Sequence, residues 1–219
     1  MTTIAVVDYG MGNRRSVEKA LEHVGAQARI TRDHTALEAA DAVVVPGVGA
    51  FPQGMRNLIG LGLDERIRAI AAAGTPVLGI CLGMQLLFER SAEHELTEGL
   101  GLLAGEVSGL QAAGRRIPHI GWNDVRLERP SPLTAGLPEA GCAFYHVHSL
   151  AARPEDPDDV IATTEYGERF ATIVGHGNVL GVQFHPEKSS RDGLALLANF
   201  VALVRGGRAV RIGTAWATE

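Results

Sequence analysis

The chain has 219 residues, of which 46% are hydrophobic and 21% charged, and its formal net charge is −5. This length and composition predict one large globular domain, or two small ones, with enough interior for a sizeable core. The acidic balance and the lack of a basic block argue against a nucleic-acid partner, and no apolar run is long enough to cross a bilayer, so we expect no membrane partner.

The first half of the chain alternates apolar runs of strand length with stretches of helical spacing. The predicted strands are Ile4–Val7, Gln27–Ile30, Ala42–Val45 and Val77–Ile80, and the predicted helices are 14–26, 35–40 and 52–73. Gly25 is the expected stop of the first helix, and Gly60 and Gly62 are candidate breaks in the last one. Strict alternation of this kind favours a parallel sheet covered on both faces.

The second half has several short strand candidates separated by turn signals. These candidates are 115–125, 142–150, 158–166, 169–177 and 178–184, and a helix is predicted over 190–205. We therefore predict an α/β fold: a three-layer, open, mostly parallel sheet flanked by helices, with an antiparallel extension. Residues 1–206 form the predicted single domain, and 207–219 the C-terminal tail.

The two cysteines of the chain, Cys81 and Cys142, form no paired framework and no C-x-x-C motif. This usage fits a reducing compartment, so we expect a cytoplasmic protein, and it argues against a zinc ribbon. The start, MTTIAVVDYG, has neither a basic leader nor a small-residue cleavage site and is interpreted as a strand.

A nucleophile-elbow pattern, G-x-C-x-G, lies at 79-GICLG-83, between a predicted strand and a stretch of helical spacing. In such an elbow the nucleophile is on a strained turn, and the glycines relieve crowding. Cys81 is then expected at the carboxyl edge of the sheet, facing the positive end of a helix, which favours the thiolate. The Leu82 N–H is a candidate oxyanion donor. The alternative is that Cys81 is a small core residue.

A candidate base for this thiol lies in 180-LGVQFHPEKSS-190, where an apolar strand is predicted to end just before His185. Pro186 stops further regular structure. Residues two apart in extended backbone point to the same side, so Glu187 can orient the imidazole and complete a Cys–His–Glu triad. Without the cysteine elbow, H-P-E would be an ordinary surface turn.

A third segment, 46-PGVGAF-51, puts two glycines directly after a buried strand. Glycines let the backbone approach a bound group, so N–H groups of this segment are candidates to complete an oxyanion hole. The alternative is an ordinary glycine-rich loop.

Together, PGVGAF, GICLGMQ and FHPE resemble the oxyanion loop, nucleophile elbow and His–Glu pair of the class I glutamine amidotransferases. The segments 8-DYGMGN-13, 118-PHIGWN-123 and 185-HPEKSS-190 are similar to the histidine-pathway branch of that family, the glutaminase subunits of imidazole glycerol phosphate synthase. In that branch, ammonia from glutamine passes to a separate cyclase subunit, which forms a heterodimer with the glutaminase. Residue spacing alone indicates only a thiol hydrolase of an amide or ester.

The resemblance implies that Cys81 attacks the carboxamide of glutamine. His185 takes the thiol proton and delivers one to ammonia, while Glu187 orients His185. The implied oxyanion donors are backbone groups of Val48, Gly49 and Leu82. No cofactor and no metal ion are expected.

The resemblance also implies that Gln85 helps to hold glutamine, with the Ser149 backbone near its amino or carboxylate end. The implied cyclase-facing residues are Asn13, Trp122 and Lys188. His146 and Leu150 occupy positions where the resemblance would place aromatic residues. The triad is unaffected, but the construction of the far wall of the glutamine pocket does not follow from the resemblance.

Because ammonia released into water is protonated, a glutaminase of this kind needs a closed path and should be quiet until its partner is ready. The peptide within 47-GVG-49 is the hypothetical switch. If its N–H points away from the site, the oxyanion lacks a donor, and cyclase docking would turn it.

Parts of the sequence are also compatible with other classes of protein. A dinucleotide module is suggested by Gly10 and Gly12 after the first strand, but Arg15 occupies the third glycine position. Two further alternatives keep the same fold. One is a binding module that has lost catalysis, and the other is a different amidotransferase branch, such as those that serve vitamin B6, anthranilate or purine synthesis.

A metal site is the remaining alternative. It would be built from His146, His148, His176 and His185, the first two on one strand face. These histidines have no cysteine or carboxylate at ligand spacing.

Overall fold

The structure is a computed structural model that describes residues 1–138 and 141–206. The predicted tail, 207–219, lies outside the described residues. Thirteen strands are found in the described part of the chain: β1 Thr3–Val7, β2 Gln27–Thr31, β3 Ala42–Gly47, β4 Val77–Cys81, β5 Phe88–Ser91, β6 Thr97–Glu98, β7 Leu103–Gly109, β8 His119–Leu127, β9 Cys142–His148, β10 Leu150–Pro154, β11 Val160–Glu165, β12 Arg169–His176 and β13 Val179–Val182.

The α-helices of the same residues are α1 Arg14–His23, α2 His34–Glu38, α3 Phe51–Gly60, α4 Leu63–Ala72, α5 Leu82–Leu86 and α6 Ser190–Gly206. The predicted break in 52–73 lies between α3 and α4, where Gly62 has a φ of +63°. Within these residues, no helix is both long and apolar enough to span a membrane.

The strands form one sheet whose parallel core has the order β2-β1-β3-β4-β13. From β13 the sheet continues through β12, β10, β7, β5 and β6, and β11, β8 and β9 branch from β12. The pairs β12–β13, β11–β12, β8–β11 and β8–β9 are antiparallel. The predicted parallel sheet with an antiparallel extension is therefore confirmed.

Helices cover both faces of the parallel core. Ile4 and Val6 of β1 pack in a cluster with residues of α1 and α6, whereas Ala5 and Val7 pack on the opposite side with residues of α3 and α4. This alternation follows the two-residue period of a strand and produces three layers. The carboxyl ends of the parallel strands remain open at one edge.

Several details differ from the sequence prediction, and three of them concern strands near the site. β3 continues through Pro46 and Gly47, because both pair with β4. The predicted strand 142–150 is interrupted at Ser149, which separates β9 from β10. Strands β5, β6 and β7 were not predicted.

Candidate active site

The order of three parallel strands brings the three sequence motifs together. β4 lies between β3 and β13, with Gly47 opposite Cys81 and Val182 opposite Ile80. Parallel neighbours end at the same edge of a sheet. The oxyanion loop (residues 46–50), the cysteine and the His–Glu pair therefore emerge side by side.

Cys81 has the backbone of a strained elbow, with φ 55° and ψ −112°. Positive φ is costly for a residue with a side chain and persists where the surroundings require it. A Cβ on Gly79 would lie 2.6 Å from the Gly83 carbonyl oxygen, and one on Gly83 would overlap the carbonyl of Val45. Both glycines are thus needed for α5 to pack directly on the strands.

His185 and Glu187 form a buried pair next to this elbow. Nδ1 of His185 lies 2.9 Å from Oε1 of Glu187, and the two side chains are 3% and 1% exposed. Nε2 of His185 is buried and has no hydrogen-bond partner in the described residues. Burial alone would lower the pKa of His185, but interactions with Cys81 and Glu187 outweigh it and raise this pKa to about 9. The pair therefore favours a protonated imidazole beside the thiol.

The thiol itself is 5% exposed and has polar neighbours from segments that are distant in sequence. Sγ of Cys81 lies 3.7 Å from the Val147 carbonyl oxygen and 3.9 Å from Nε2 of Gln183. Gln183 is fully buried and accepts a 3.0 Å hydrogen bond from Nε2 of Gln85. Sequence reasoning missed Gln183, although a polar residue within the apolar run 180-LGVQF-184 is a usable signal.

A cavity of about 210 Å³ opens in front of the thiol. It is lined by Val48, Gly49, Cys81, Leu82, Gln85, Glu93, Pro118, Val147, His148, Ser149 and Leu150. The residues predicted for the oxyanion hole and for glutamine binding thus all border one space. Gln85 also donates a 3.2 Å hydrogen bond to the Leu150 carbonyl, so it braces the far wall of the cavity.

Glu93 is a second lining residue that sequence reasoning missed. One of its carboxylate oxygens accepts a 2.5 Å hydrogen bond from the Phe51 N–H, the first residue of α3. Anions are favoured at helix N-termini, which accounts for this contact. The position of Glu93 in the loop after β5 has no local sequence signature, because it reaches the cavity only through the sheet order.

Three histidines support the wall formed by β8, β9 and β10. His148 lies 2.7 Å from the Leu150 carbonyl oxygen through Nδ1 and 3.0 Å from Nδ1 of His119 through Nε2. Burial is the main cause that lowers the pKa of His119 and of His148 to about 4. A carbonyl oxygen can only accept a hydrogen bond, so the ring nitrogen that faces it must carry a proton, and the geometry assigns the proton of neutral His148 to Nδ1.

His146 is fully buried and lies behind the cavity lining. Its ring nitrogens contact the Phe144 carbonyl oxygen at 3.0 Å and the Thr172 hydroxyl at 2.9 Å, and burial holds its pKa well below the usual range. His176, in contrast, lies 2.9 Å from the Asp159 carboxylate. Among residues 1–138 and 141–206, no group of three or more histidine, cysteine or acidic side chains is arranged to hold a metal ion.

The residues predicted to face a cyclase are all exposed, and local contacts link two of them to the His–Glu pair. Trp122 is 54% exposed and lies opposite Tyr145 in the β8–β9 ladder. The Tyr145 carbonyl accepts a 2.9 Å hydrogen bond from the His185 N–H, and the Lys188 N–H donates to the His185 carbonyl at 3.0 Å. Asn13 caps the start of α1, accepting a hydrogen bond from the Ser16 N–H.

Comparison with known proteins identifies the family. Residues 5–204 match the family model described as Glutamine amidotransferase class-I. The chain belongs to the class I glutamine amidotransferase family.

Relatives within the family are more specific. The chain is 52% identical over 205 residues to imidazole glycerol phosphate synthase subunit HisH of Moorella thermoacetica, covering 94% of this chain and 97% of that protein. It is 51% identical over 204 residues to the HisH subunit of Symbiobacterium thermophilum, covering 93% and 95%. These relatives confirm the predicted resemblance to the histidine-pathway branch.

Solved structures give the same fold. PurLQS from Thermotoga maritima matches with a TM-score of 0.74 and 21% identity, covering 93% of this chain and 99% of that chain. A structure described as glutamine amidotransferase matches with a TM-score of 0.71 and 24% identity, covering 90% and 98%. At these identities the likeness concerns the fold alone.

Proposed function

We propose that this chain is the glutaminase subunit of an imidazole glycerol phosphate synthase. It hydrolyses glutamine to glutamate and ammonia and passes the ammonia to a separate cyclase subunit. The cyclase then forms imidazole glycerol phosphate and the aminoimidazole carboxamide ribotide of histidine biosynthesis. The observation that carries the proposal is the buried His185–Glu187 pair next to Cys81, whose thiol borders the cavity, in a chain 52% identical to a HisH subunit.

In the first half of the reaction, Sγ of Cys81 attacks the carboxamide carbon of glutamine as a thiolate. His185 holds the proton that came from the thiol and gives it to the departing nitrogen. The C–N bond breaks, ammonia leaves, and a thioester remains on Cys81. The raised pKa of His185 supports this step, because a protonated imidazole next to the sulfur is both counter-ion and acid.

In the second half, water replaces ammonia at the same position. His185, now neutral, takes a proton from this water as it attacks the thioester carbon. The C–S bond breaks, glutamate leaves, and the proton returns to the thiol–imidazole pair. Glu187 keeps Nε2 directed at the sulfur by holding Nδ1, as the acidic member of a triad does.

Charge that develops on the substrate carbonyl oxygen requires N–H donors on the cavity wall. Leu82 follows the nucleophile at the start of α5, and Val48 and Gly49 line the opposite side. Loss of a single oxyanion donor costs about 10²–10³ in rate. We therefore assign the oxyanion hole to the Leu82 N–H and to the peptides on either side of Val48.

The amino-acid end of glutamine needs groups of opposite charge and backbone donors or acceptors. Glu93 supplies a carboxylate for the α-amino group, and the Ser149 backbone lies across the cavity. Gln85 holds the substrate directly and also through the Leu150 carbonyl that it braces. A cavity of about 210 Å³ suits a single small amino acid rather than a peptide or nucleotide.

An exposed apolar strip on and before β8 supports a protein partner at this edge. Ile117, Ile120 and Trp122 are 49%, 59% and 54% exposed. Ammonia must cross to the acceptor without meeting bulk water, so the partner has to seal the site. We assign this surface, with Asn13 and Lys188, to the cyclase, and we place the heterodimer in the cytoplasm, where the two unpaired cysteines remain reduced.

The test is a glutaminase assay of wild type, Cys81→Ala and Cys142→Ala, each alone and with a cyclase subunit plus its nucleotide ligand. We expect wild type and Cys142→Ala to release glutamate when the liganded cyclase is present, and Cys81→Ala to be inactive. Activity that survives loss of Cys81, or wild type that stays inactive with its partner, contradicts the proposal. Equal wild-type rates with and without the partner would contradict the proposed switch in 47-GVG-49.

A further inference from the structure

Tyr9 is a buried side chain that touches the oxyanion loop at its origin. It is 1% exposed, and its hydroxyl donates a 2.6 Å hydrogen bond to the Pro46 carbonyl. The hydroxyl also occupies the space that a Cβ on Gly47 would need. Tyr9 thus contacts the last peptide of β3 before the loop leaves the sheet.

The residues after Tyr9 continue along the same loop. A Cβ on Gly12 would lie 3.0 Å from Cα of Gly47, and a Cβ on Gly49 would lie 2.6 Å from Cε of Met11. Gly12, one of the two glycines that resembled part of a dinucleotide fingerprint, therefore allows the two loops to pack backbone against backbone. This segment leads directly to Asn13.

The backbone of Tyr9 is held in turn by the helix that follows the oxyanion loop. Nδ2 of Asn57, on α3, donates a 3.0 Å hydrogen bond to the Tyr9 carbonyl. Tyr9 therefore contacts the origin of the oxyanion loop through its hydroxyl and the helix that follows the loop through its carbonyl.

We propose that Tyr9 is a positioning residue for the oxyanion hole: its hydroxyl fixes the Pro46–Gly47 peptide, so that only the peptides on either side of Val48 can turn. The inference rests on the proposed function of the chain. A peptide unit is planar, so a fixed Pro46 carbonyl also fixes the Gly47 N–H. The switch then has a defined hinge instead of a loop that moves as a whole.

The electrostatic surroundings keep the Tyr9 hydroxyl protonated, so that it can donate its hydrogen bond. Burial, and next the negative charge of a Cys81 thiolate, raise the pKa of Tyr9 above its ordinary value. The phenol therefore remains protonated while the thiol pair is in its reactive form. Only in this protonated state can the Tyr9 hydroxyl donate a hydrogen bond to the Pro46 carbonyl.

The test is Tyr9→Phe, assayed for glutaminase with the liganded cyclase. We expect kcat to fall about tenfold, less than the ~10²–10³ for complete loss of an oxyanion donor, because the donors remain but are less well placed. KM for glutamine should stay within about twofold, because the groups assigned to the amino-acid end of the substrate lie elsewhere in the cavity.

The matched control is Tyr166→Phe, which also removes a hydroxyl bonded to a backbone carbonyl, that of Arg116 at 2.8 Å, but on a partly exposed ring that does not contact the oxyanion loop. Its kcat should equal that of wild type. Alkylation of the thiol by iodoacetamide reports on the elbow independently of the oxyanion loop. Cys142 contributes little to this signal, because burial raises the pKa of its thiol to about 11 and, unlike Cys81, it does not border the cavity.

A lower kcat in Tyr9→Phe with unchanged KM and unchanged alkylation of Cys81 supports the inference. An unchanged kcat overturns it, and so does a parallel loss of kcat, glutamine affinity and alkylation, which would indicate general damage to the fold. Inactive wild type in the same assay would defeat the proposed function instead, so the two failures are distinguishable.

Discussion

At the scale of single residues, the chemistry depends on which protonation state His185 holds. Burial opposes a charge on the imidazole, yet the pKa of His185 is raised to about 9 by Cys81 and Glu187 together. The imidazole is therefore protonated below about pH 9 and loses its proton above it. Removing one of the two stabilising groups must bring this transition to lower pH.

Glu187→Gln tests this argument, because it keeps the size of the side chain and removes its charge. We expect kcat/KM to fall by about 10²–10⁴, by analogy with neutralising the acid of a serine triad. The basic limb of the kcat/KM profile, measured from pH 6 to 10 with liganded cyclase, should move to lower pH. The direction follows because the carboxylate stabilises the imidazolium.

The control for this variant is Glu106→Gln, which removes an exposed carboxylate that pairs with Arg90 on β5. It should leave both rate and pH profile unchanged. A Glu187→Gln enzyme whose basic limb stays at the wild-type pH would show that this carboxylate does not set the protonation of His185.

Sequence alone predicted the residues that have a local signature. Cys81 lies between the two glycines of its elbow motif, and His185 lies two residues before Glu187. Tyr9 lies in the segment 8-DYGMGN-13, but that pattern does not indicate that its hydroxyl reaches the oxyanion loop, and Glu93 has no local signature. Each reaches the site through strand order and loop packing rather than through its neighbours in the chain. The order and register of the strands must be known before either residue can be placed beside the oxyanion loop.

At the scale of elements, prediction was best where a strand is buried on both faces. β1, β3 and β4 are continuous apolar runs, and each was found close to its predicted bounds. β5 was missed, because it follows the five-residue α5 directly, its two central residues are exposed, and 82–91 has no strand alternation. β5 forms because it pairs with β7 and β6. This pairing is a tertiary interaction, which the local sequence pattern does not reveal.

The nucleophile elbow requires α5 to approach β3 closely, and a substitution at Gly83 tests this packing. In Gly83→Ala the added methyl overlaps the Val45 carbonyl, and no flexible side chain can move to relieve it. We expect a loss of about 1–3 kcal/mol in the free energy of unfolding, or failure to fold, since inserted methyl groups in packed interiors cost this much. Urea unfolding of the purified variant measures it.

Gly60→Ala is the matched control, at the last residue of α3, where an added Cβ meets nothing within 4 Å. It should stabilise the protein by up to about 1 kcal/mol, the helix preference of alanine over glycine. Equal effects of the two substitutions would mean that the elbow tolerates a side chain, contrary to the close packing of α5.

At the scale of the whole molecule, the position of the candidate site at one edge of the sheet determines how a partner can act on it. The cavity, the oxyanion loop and the exposed strip of β8 all lie on the antiparallel extension or at the carboxyl ends of the parallel strands. Trp122 faces Tyr145, whose carbonyl binds the backbone of His185. Trp122 is thus linked to the thiol through three contacts, by way of Tyr145 and His185.

Trp122→Ala should therefore weaken binding of the cyclase more than it affects chemistry in the bound complex. Exposed aromatic anchors at interfaces are often worth about 2 kcal/mol or more, which corresponds to a Kd about thirtyfold higher. Calorimetric titration with the cyclase measures the Kd, and saturating cyclase should restore glutaminase to within about threefold of wild type. Ile59→Ala, which truncates a 58% exposed side chain on α3, should leave the Kd unchanged. If Trp122→Ala binds as tightly as wild type, the cyclase does not dock on β8, and the ammonia path has to leave the site in another direction.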